Sequence, residues 1–148
     1  MHCTDFIPGR TATNMTKFAW FMLADSIGTA NCSVAIYTAG GASLVTSATT
    51  TCSDSPGLVS VTGITPFTLT AGTEYRVCYC AALSGFNWLI TRDGFATGVT
   101  LFRAYNVIAT NTGTAANTCT ASTAAPPSST GSLTDDQIDA AVVYVTKE

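Results

Sequence analysis

The 148-residue chain is 47% hydrophobic but only 10% charged, with one histidine and a net charge of −3. That length suits one domain burying roughly 68–70% of its unfolded surface, so the core needs neither metal nor disulfide to form. Six Lys and Arg leave no basic stripe for phosphates, which argues against nucleic acid as a partner. The longest strongly apolar run, Phe18–Ala24, falls far short of the ~20 residues that cross a bilayer, so no membrane partner is expected.

Met1–Asn14 contains Pro8 and Gly9 without a clear period, which predicts an extended N-terminal arm over residues 1–14 with at most one short strand. It lacks a basic region followed by an apolar stretch, so no secretory signal is expected. Apolar Met15–Leu23 predicts a long strand and opens a single β-sandwich domain over 15–148. After a loop at Asp25–Asn31, Cys32, Val34 and Ile36 alternate with Ser33, Ala35 and Tyr37, the period of two of a strand. Ala39-Gly40-Gly41-Ala42 predicts a tight hairpin, since glycine reaches positive φ without steric cost.

Ser43–Thr46 returns, and the Thr-rich run Ser47–Cys52 suits a solvated edge or a long loop. Asp54-Ser55-Pro56-Gly57 is a turn, because Asp bonds the backbone ahead of it and Pro fixes φ. Val59 and Val61 share one face of the next strand. Phe67 and Leu69 share a face of another, before the Ala71-Gly72 turn. Glu74–Cys80 places Tyr75, Val77 and Tyr79 on one side and Arg76, Cys78 and Cys80 on the other, the pattern of a central strand buried on both sides if the cysteines are reduced.

Further strands are expected at Phe86–Thr91 and Val99–Val107, separated by a turn at Asp93-Gly94. The stretch 107–131, dominated by Ala, Thr, Asn, Ser and Pro, predicts a long irregular excursion pinned to the surface, of the kind that serves a purpose or contacts something. Thr134-Asp135-Asp136-Gln137 has the form of a capping box, which predicts a short helical turn over Thr134–Asp139. The β-branched and aromatic Val142–Thr146 then predicts a closing strand. Some nine short strands with turn signals every 8–12 residues indicate an all-β, antiparallel, jelly-roll-like β-sandwich.

Chemistry-bearing residues are sparse. The one histidine, His2, lies on the expected arm, leaving Ser, Cys and Thr without a general base, so no catalytic residues are assigned and an enzyme is not expected. Asp135 and Asp136 are adjacent and suit helix capping better than glycoside hydrolysis. No D-x-D-x-D loop is present for calcium, and no cofactor is implied. The six cysteines leave open buried thiols or one or two bridges, with Cys32 and Cys52 the favoured pair on sequence proximity. Zinc at Cys78-Tyr79-Cys80 is a weaker alternative, lacking a second C-x-x-C or a His pair. Asn14-Met15-Thr16 and Asn31-Cys32-Ser33 fit the N-glycosylation pattern, which also arises by chance. Trp88 and Tyr105, with Tyr144, offer a glycan-stacking platform, although aromatic residues in alternating strands more often fill the core.

KFAWFML, then CSVAIYTAGGASLV, then PFTLTAGTEYRVCYCA, and GSLTDD before VVYVTKE together resemble jelly-roll domains of tailed-bacteriophage virion structural proteins. In those domains a strand leads into an xVxIYxAxG hairpin and an LxAGxxYxxxxC/A strand follows. The resemblance runs from about Lys17 onward and carries over no catalytic position. It implies a non-enzymatic virion component, a capsid decoration (cement) protein or fibre domain, often a homotrimer, whose partners are major capsid or other virion proteins. It further implies assembly in the host cytoplasm and exposure to the extracellular medium. A carbohydrate-binding module for host or glycan attachment is the alternative. Six cysteines depart from the pattern and leave room for a stabilising disulfide.

Overall fold

The computed structural model describes residues 1–22, 29–52, 57–82, 90–91, 108–135, 140–141 and 144–146. In chain order its strands are β1 (His2–Ile7), β2 (Ala12–Met15), β3 (Lys17–Met22), β4 (Ala30–Thr38), β5 (Leu44–Cys52), β6 (Gly57–Val61) and β7 (Phe67–Leu69). They continue as β8 (Tyr75–Ala81), β9 (Ile90–Thr91), β10 (Ile108–Ala115), β11 (Leu133–Asp135), β12 (Ala140–Ala141) and β13 (Tyr144–Thr146). Every pairing is antiparallel. Six strands form the main sheet in the order β11-β10-β1-β8-β4-β5; β13-β3-β6 form a second sheet, and β2-β7 and β12-β9 are two-stranded. Among the described residues the only helical piece is a single 3-10 turn, Ala39–Gly41, which closes the β4–β5 hairpin with Gly40 and Gly41 at φ 64° and 72°.

Strands β4 and β8 lie inside the main sheet, and they are buried without interruption over Cys32–Tyr37 and Tyr75–Cys80. Their alternation sorts two faces. One carries Val34, Ile36, Tyr75, Val77 and Tyr79, joined by Phe6 of β1 and Ala48 of β5. Phe18 and Trp20 of β3, Val59 and Val61 of β6, and Phe67 and Leu69 of β7 complete the same apolar cluster. Phe18 and Phe67 meet with ring centroids 5.6 Å apart. Each fully buried large side chain among them, such as Phe6, Phe18 or Ile36, stabilises the fold by roughly 1.5–3 kcal/mol. The opposite face carries Cys3, Ala35, Tyr37, Cys78 and Ala115, a smaller cluster that includes little aliphatic surface.

Three expectations are corrected. The N-terminal segment, expected as an extended arm with at most one short strand, takes part in two, and the first, His2–Ile7, is an interior strand held between β10 and β8. Its interior place was hidden because HCTDFI lacks an apolar alternation, and its partners lie far away in sequence. The excursion expected over 107–131 begins with a strand, β10, and only the part after Ala115 is irregular. Thr134 and Asp135 are not a helix cap; they pair with Thr114 and Gly113 of β10. Residues 136–139 of that expected turn lie outside the described residues, as does nearly all of Phe86–Val107. The Thr-rich run 47–52 belongs to an edge strand, β5, in keeping with its solvated composition.

Candidate functional site

The second face of the main sheet is where polar side chains and the irregular segment meet. Register sets Asp5 of β1 directly opposite Arg76 of β8, and Cys3 opposite Cys78. Both charged residues are only 4% exposed, so they have to satisfy one another. Arg76 donates from Nε to Asp5 Oδ1 at 2.6 Å and from Nη2 to Asp5 Oδ2 at 2.9 Å, a two-bonded fork. Its Nη1 donates to Thr130 Oγ1 at 2.7 Å and to the Gly131 carbonyl at 2.9 Å. One guanidinium therefore ties β1, β8 and the end of the irregular segment together.

That segment is a closed loop. Asn117 N–H donates to the Thr130 carbonyl at 2.9 Å and forms the neck, with Ala116 N–H bonded to the Ser132 carbonyl beside it. Between these ends the chain folds back on itself: Ala124 N–H bonds the Thr120 carbonyl and Thr120 N–H bonds the Ala125 carbonyl. Compact loops with such close ends are the Ω class. Ser33 Oγ donates to the Ala124 carbonyl at 2.6 Å, Tyr37 Oη to the Pro127 carbonyl at 3.0 Å, and Leu44 N–H to the Ser128 carbonyl at 3.0 Å. Pro126 and Pro127 suit the site because they present carbonyls and have no N–H to leave unpaired. Burial pushes the Tyr37 phenol up to about 12. At Gly41 the loop comes so close that a Cβ would overlap Thr130 and Arg76.

Three disulfides cross-link this architecture. Cys3–Cys78 spans directly opposed residues of β1 and β8 on the polar face. Cys32 and Cys52, the pair favoured from proximity, are bonded to each other on the apolar face, with Cα atoms 5.8 Å apart. Cys80 reaches out to Cys119 of the loop. Cys78 and Cys80 thus bond separate partners, which removes the zinc alternative and decides between thiols and bridges, and β8 is buried on both sides with its cysteines oxidised. Of the possible glycan contacts, Trp88 and Tyr105 lie outside the described residues. His2 sits in β1 and stacks on Tyr79 at 5.8 Å.

Between loop and sheet lies a cleft of about 380 Å³. It is lined by Thr29, Ala30 and Asn31 at the start of β4, Thr51 of β5 and Ala82 after β8, together with Ala121 and Ser122 of the loop. Asn31 Nδ2 donates to the Ser122 carbonyl at 3.3 Å. Among the described residues the lining is small, hydroxyl- and amide-bearing and uncharged, chemistry that hydrogen-bonds a neutral polar group. Sequence reasoning missed this cleft and the Asp5–Arg76 pair. The only available signal was the odd presence of one charged residue in each strand's apolar surroundings: Asp5 beside Phe6, and Arg76 between Tyr75 and Val77. Comparison with family models, curated proteins and solved structures returned no match.

Proposed function

We propose that this protein is a non-enzymatic structural component of a virus particle, a capsid decoration protein or fibre domain whose jelly-roll-like sandwich docks on a larger assembly. In this reading the main sheet and β13-β3-β6 are the two layers, since both feed one apolar cluster. The observation that carries it is β5. This nine-residue strand lies at the edge of the main sheet and contains no charge and no proline. Leu44, Val45, Thr49 and Thr51 along it are exposed. Free-standing proteins guard such edges with Lys, Pro or bulges. β5 has one bulge, at Val45 opposite Ile36 and Tyr37, and its Leu44 N–H is taken by Ser128 of the loop, but among the described residues the stretch from Thr46 to Thr51 carries no such guard. An edge open there suits a protein whose neighbours cover it: a homo-oligomer, with a trimer favoured, and capsid or other virion proteins beyond it. Disulfides suit exposure to the extracellular medium after assembly in the host cytoplasm.

Light scattering on the purified protein tests this reading: it is expected to be oligomeric, and Val45→Lys with Thr49→Lys on the edge is expected to dissociate it while preserving the fold by circular dichroism. A monomer at tens of micromolar that is also absent from particle fractions would overturn it. The uncharged, hydroxyl-lined cleft supports a second reading as a module for neutral glycans. Glycan-array binding that is lost on Asn31→Ala would favour it; retention of the signal in that variant, with loss on Trp88→Ala, would move the site to the aromatic platform.

A further inference from the structure

The six cysteines differ in access. Cys3, Cys32, Cys52, Cys78 and Cys80 are at most 4% exposed, whereas Cys119 is half-buried at the rim of the loop, with Met1 Sδ 3.5 Å from its sulfur. Thiol–disulfide exchange requires a thiolate to reach one sulfur, so access selects which bond exchanges. The loop also has two parts with different anchorage. Its neck at Asn117 and Thr130 is closed by backbone hydrogen bonds and by the buried Arg76 guanidinium. Its tip, residues 118–126, is held by Cys119, by the Ser33 hydroxyl and by the exposed Asn31 amide. Opening the disulfide therefore loosens the tip and leaves the neck closed.

We propose that Cys80–Cys119 is a redox latch on the cleft, opened selectively by a dithiol reductant. A thiolate of the dithiol attacks Cys119 Sγ, the S–S bond breaks, and its electron pair leaves on Cys80, which takes up a proton. The second thiol of the dithiol loses its proton and attacks its own mixed-disulfide sulfur. Cys119 departs as a thiolate and is protonated in turn, so two electrons pass to the protein and the dithiol ends as a disulfide. Because Ala121 and Ser122 line the cleft, the latch sets whether that part of the lining is fixed. It is open in a reducing cytosol and closed in an oxidising medium. The latch goes beyond the virion reading and stands whether or not the protein joins a particle.

The test titrates the oxidised protein with dithiothreitol, traps free thiols by alkylation for peptide mass spectrometry, and follows hydrogen exchange in parallel. Cys80 and Cys119 are expected to be alkylated at reductant concentrations that leave the other four cysteines unlabelled. Peptides within 118–126 are expected to exchange faster by on the order of tenfold, with 128–132 and β8 unchanged. The double variant Cys80→Ser with Cys119→Ser is expected to show the same exchange pattern without reductant. Earlier or simultaneous alkylation of Cys3–Cys78 or Cys32–Cys52 would overturn the proposal, and so would unchanged protection of 118–126 after selective reduction. Should the double variant not fold, the titration of the native protein decides alone.

Discussion

Asp5→Ala is the perturbation that best probes the polar face. Among the described residues Arg76 makes four hydrogen bonds, two of them to Asp5 at 2.6 and 2.9 Å. Truncation leaves the Thr130 and Gly131 acceptors in place but removes the only countercharge that the described residues place in contact with a guanidinium that is 4% exposed. Breaking a buried pair from one side costs about 3–5 kcal/mol, because the remaining charge stays desolvated and uncompensated. A chain of this length loses roughly 2–4 °C per kcal/mol, so the melting temperature is expected to fall by roughly 6–20 °C. Urea unfolding with all disulfides kept oxidised measures the loss as a lower midpoint at unchanged slope. The double variant Asp5→Leu with Arg76→Leu removes both charges and is expected to recover part of the loss, the remainder reflecting the lost tie to Thr130. A single-variant cost under about 1 kcal/mol would refute the reasoning, since it would mean that water reaches Arg76.

Gly41→Ala is expected to destabilise by more than the ~1–2 kcal/mol of a left-handed alanine, because its Cβ also displaces Thr130 and Arg76; thermal unfolding checks this. The Tyr37 phenol, raised from 10.0 to about 12 by burial, binds a proton in the folded state that the unfolded chain releases sooner. Stability from this group is therefore full below pH 10 and declines as pH rises from about 10 towards 12. A spectroscopic titration is expected to show this tyrosine ionising late, and Tyr37→Phe is expected to remove that late step. Paired replacement of Cys3 and Cys78 by Ala opens a separation of 75 residues, itself already bridged by Cys32–Cys52, and is expected to cost about 4 kcal/mol of chain entropy. The same replacement at Cys32 and Cys52, 20 residues apart, is expected to cost about 3 kcal/mol of that term. Its additional cost is packing, because both sulfurs lie in the apolar cluster.

Local alternation was legible wherever a strand buries different chemistry on its two sides. The two faces of β8 follow directly from YRVCYC, and the β4–β5 hairpin from CSVAIYT ahead of two glycines, each of which takes positive φ. Phe67 and Leu69 share the core as their spacing implies. The N-terminal strand was illegible for a physical reason: an acid in a sheet interior contradicts every local rule until its countercharge is known, and that countercharge arrives 71 residues later. The capping-box letters at Thr134–Gln137 misled because a helix signal is weak beside an available sheet edge, and β10 offers one. Cys32–Cys52 was accessible from proximity, whereas Cys3–Cys78 required β1 to be known as a strand at all.

Sequence by itself determined that this is a β protein with few charges, which strands alternate, and where the sharpest turn falls, because these depend on contacts within a few residues. Tertiary structure alone decided what the Ala-, Thr- and Pro-rich stretch does. Its own letters carry neither charge nor periodic apolar surface to dictate a position. It is placed instead by the carbonyls it offers to Ser33, Tyr37 and Arg76, by Thr130, and by the single cysteine it offers to Cys80. Those partners come together only once β1, β4 and β8 have paired, so the loop, the cleft beneath it and its latch are products of long-range register.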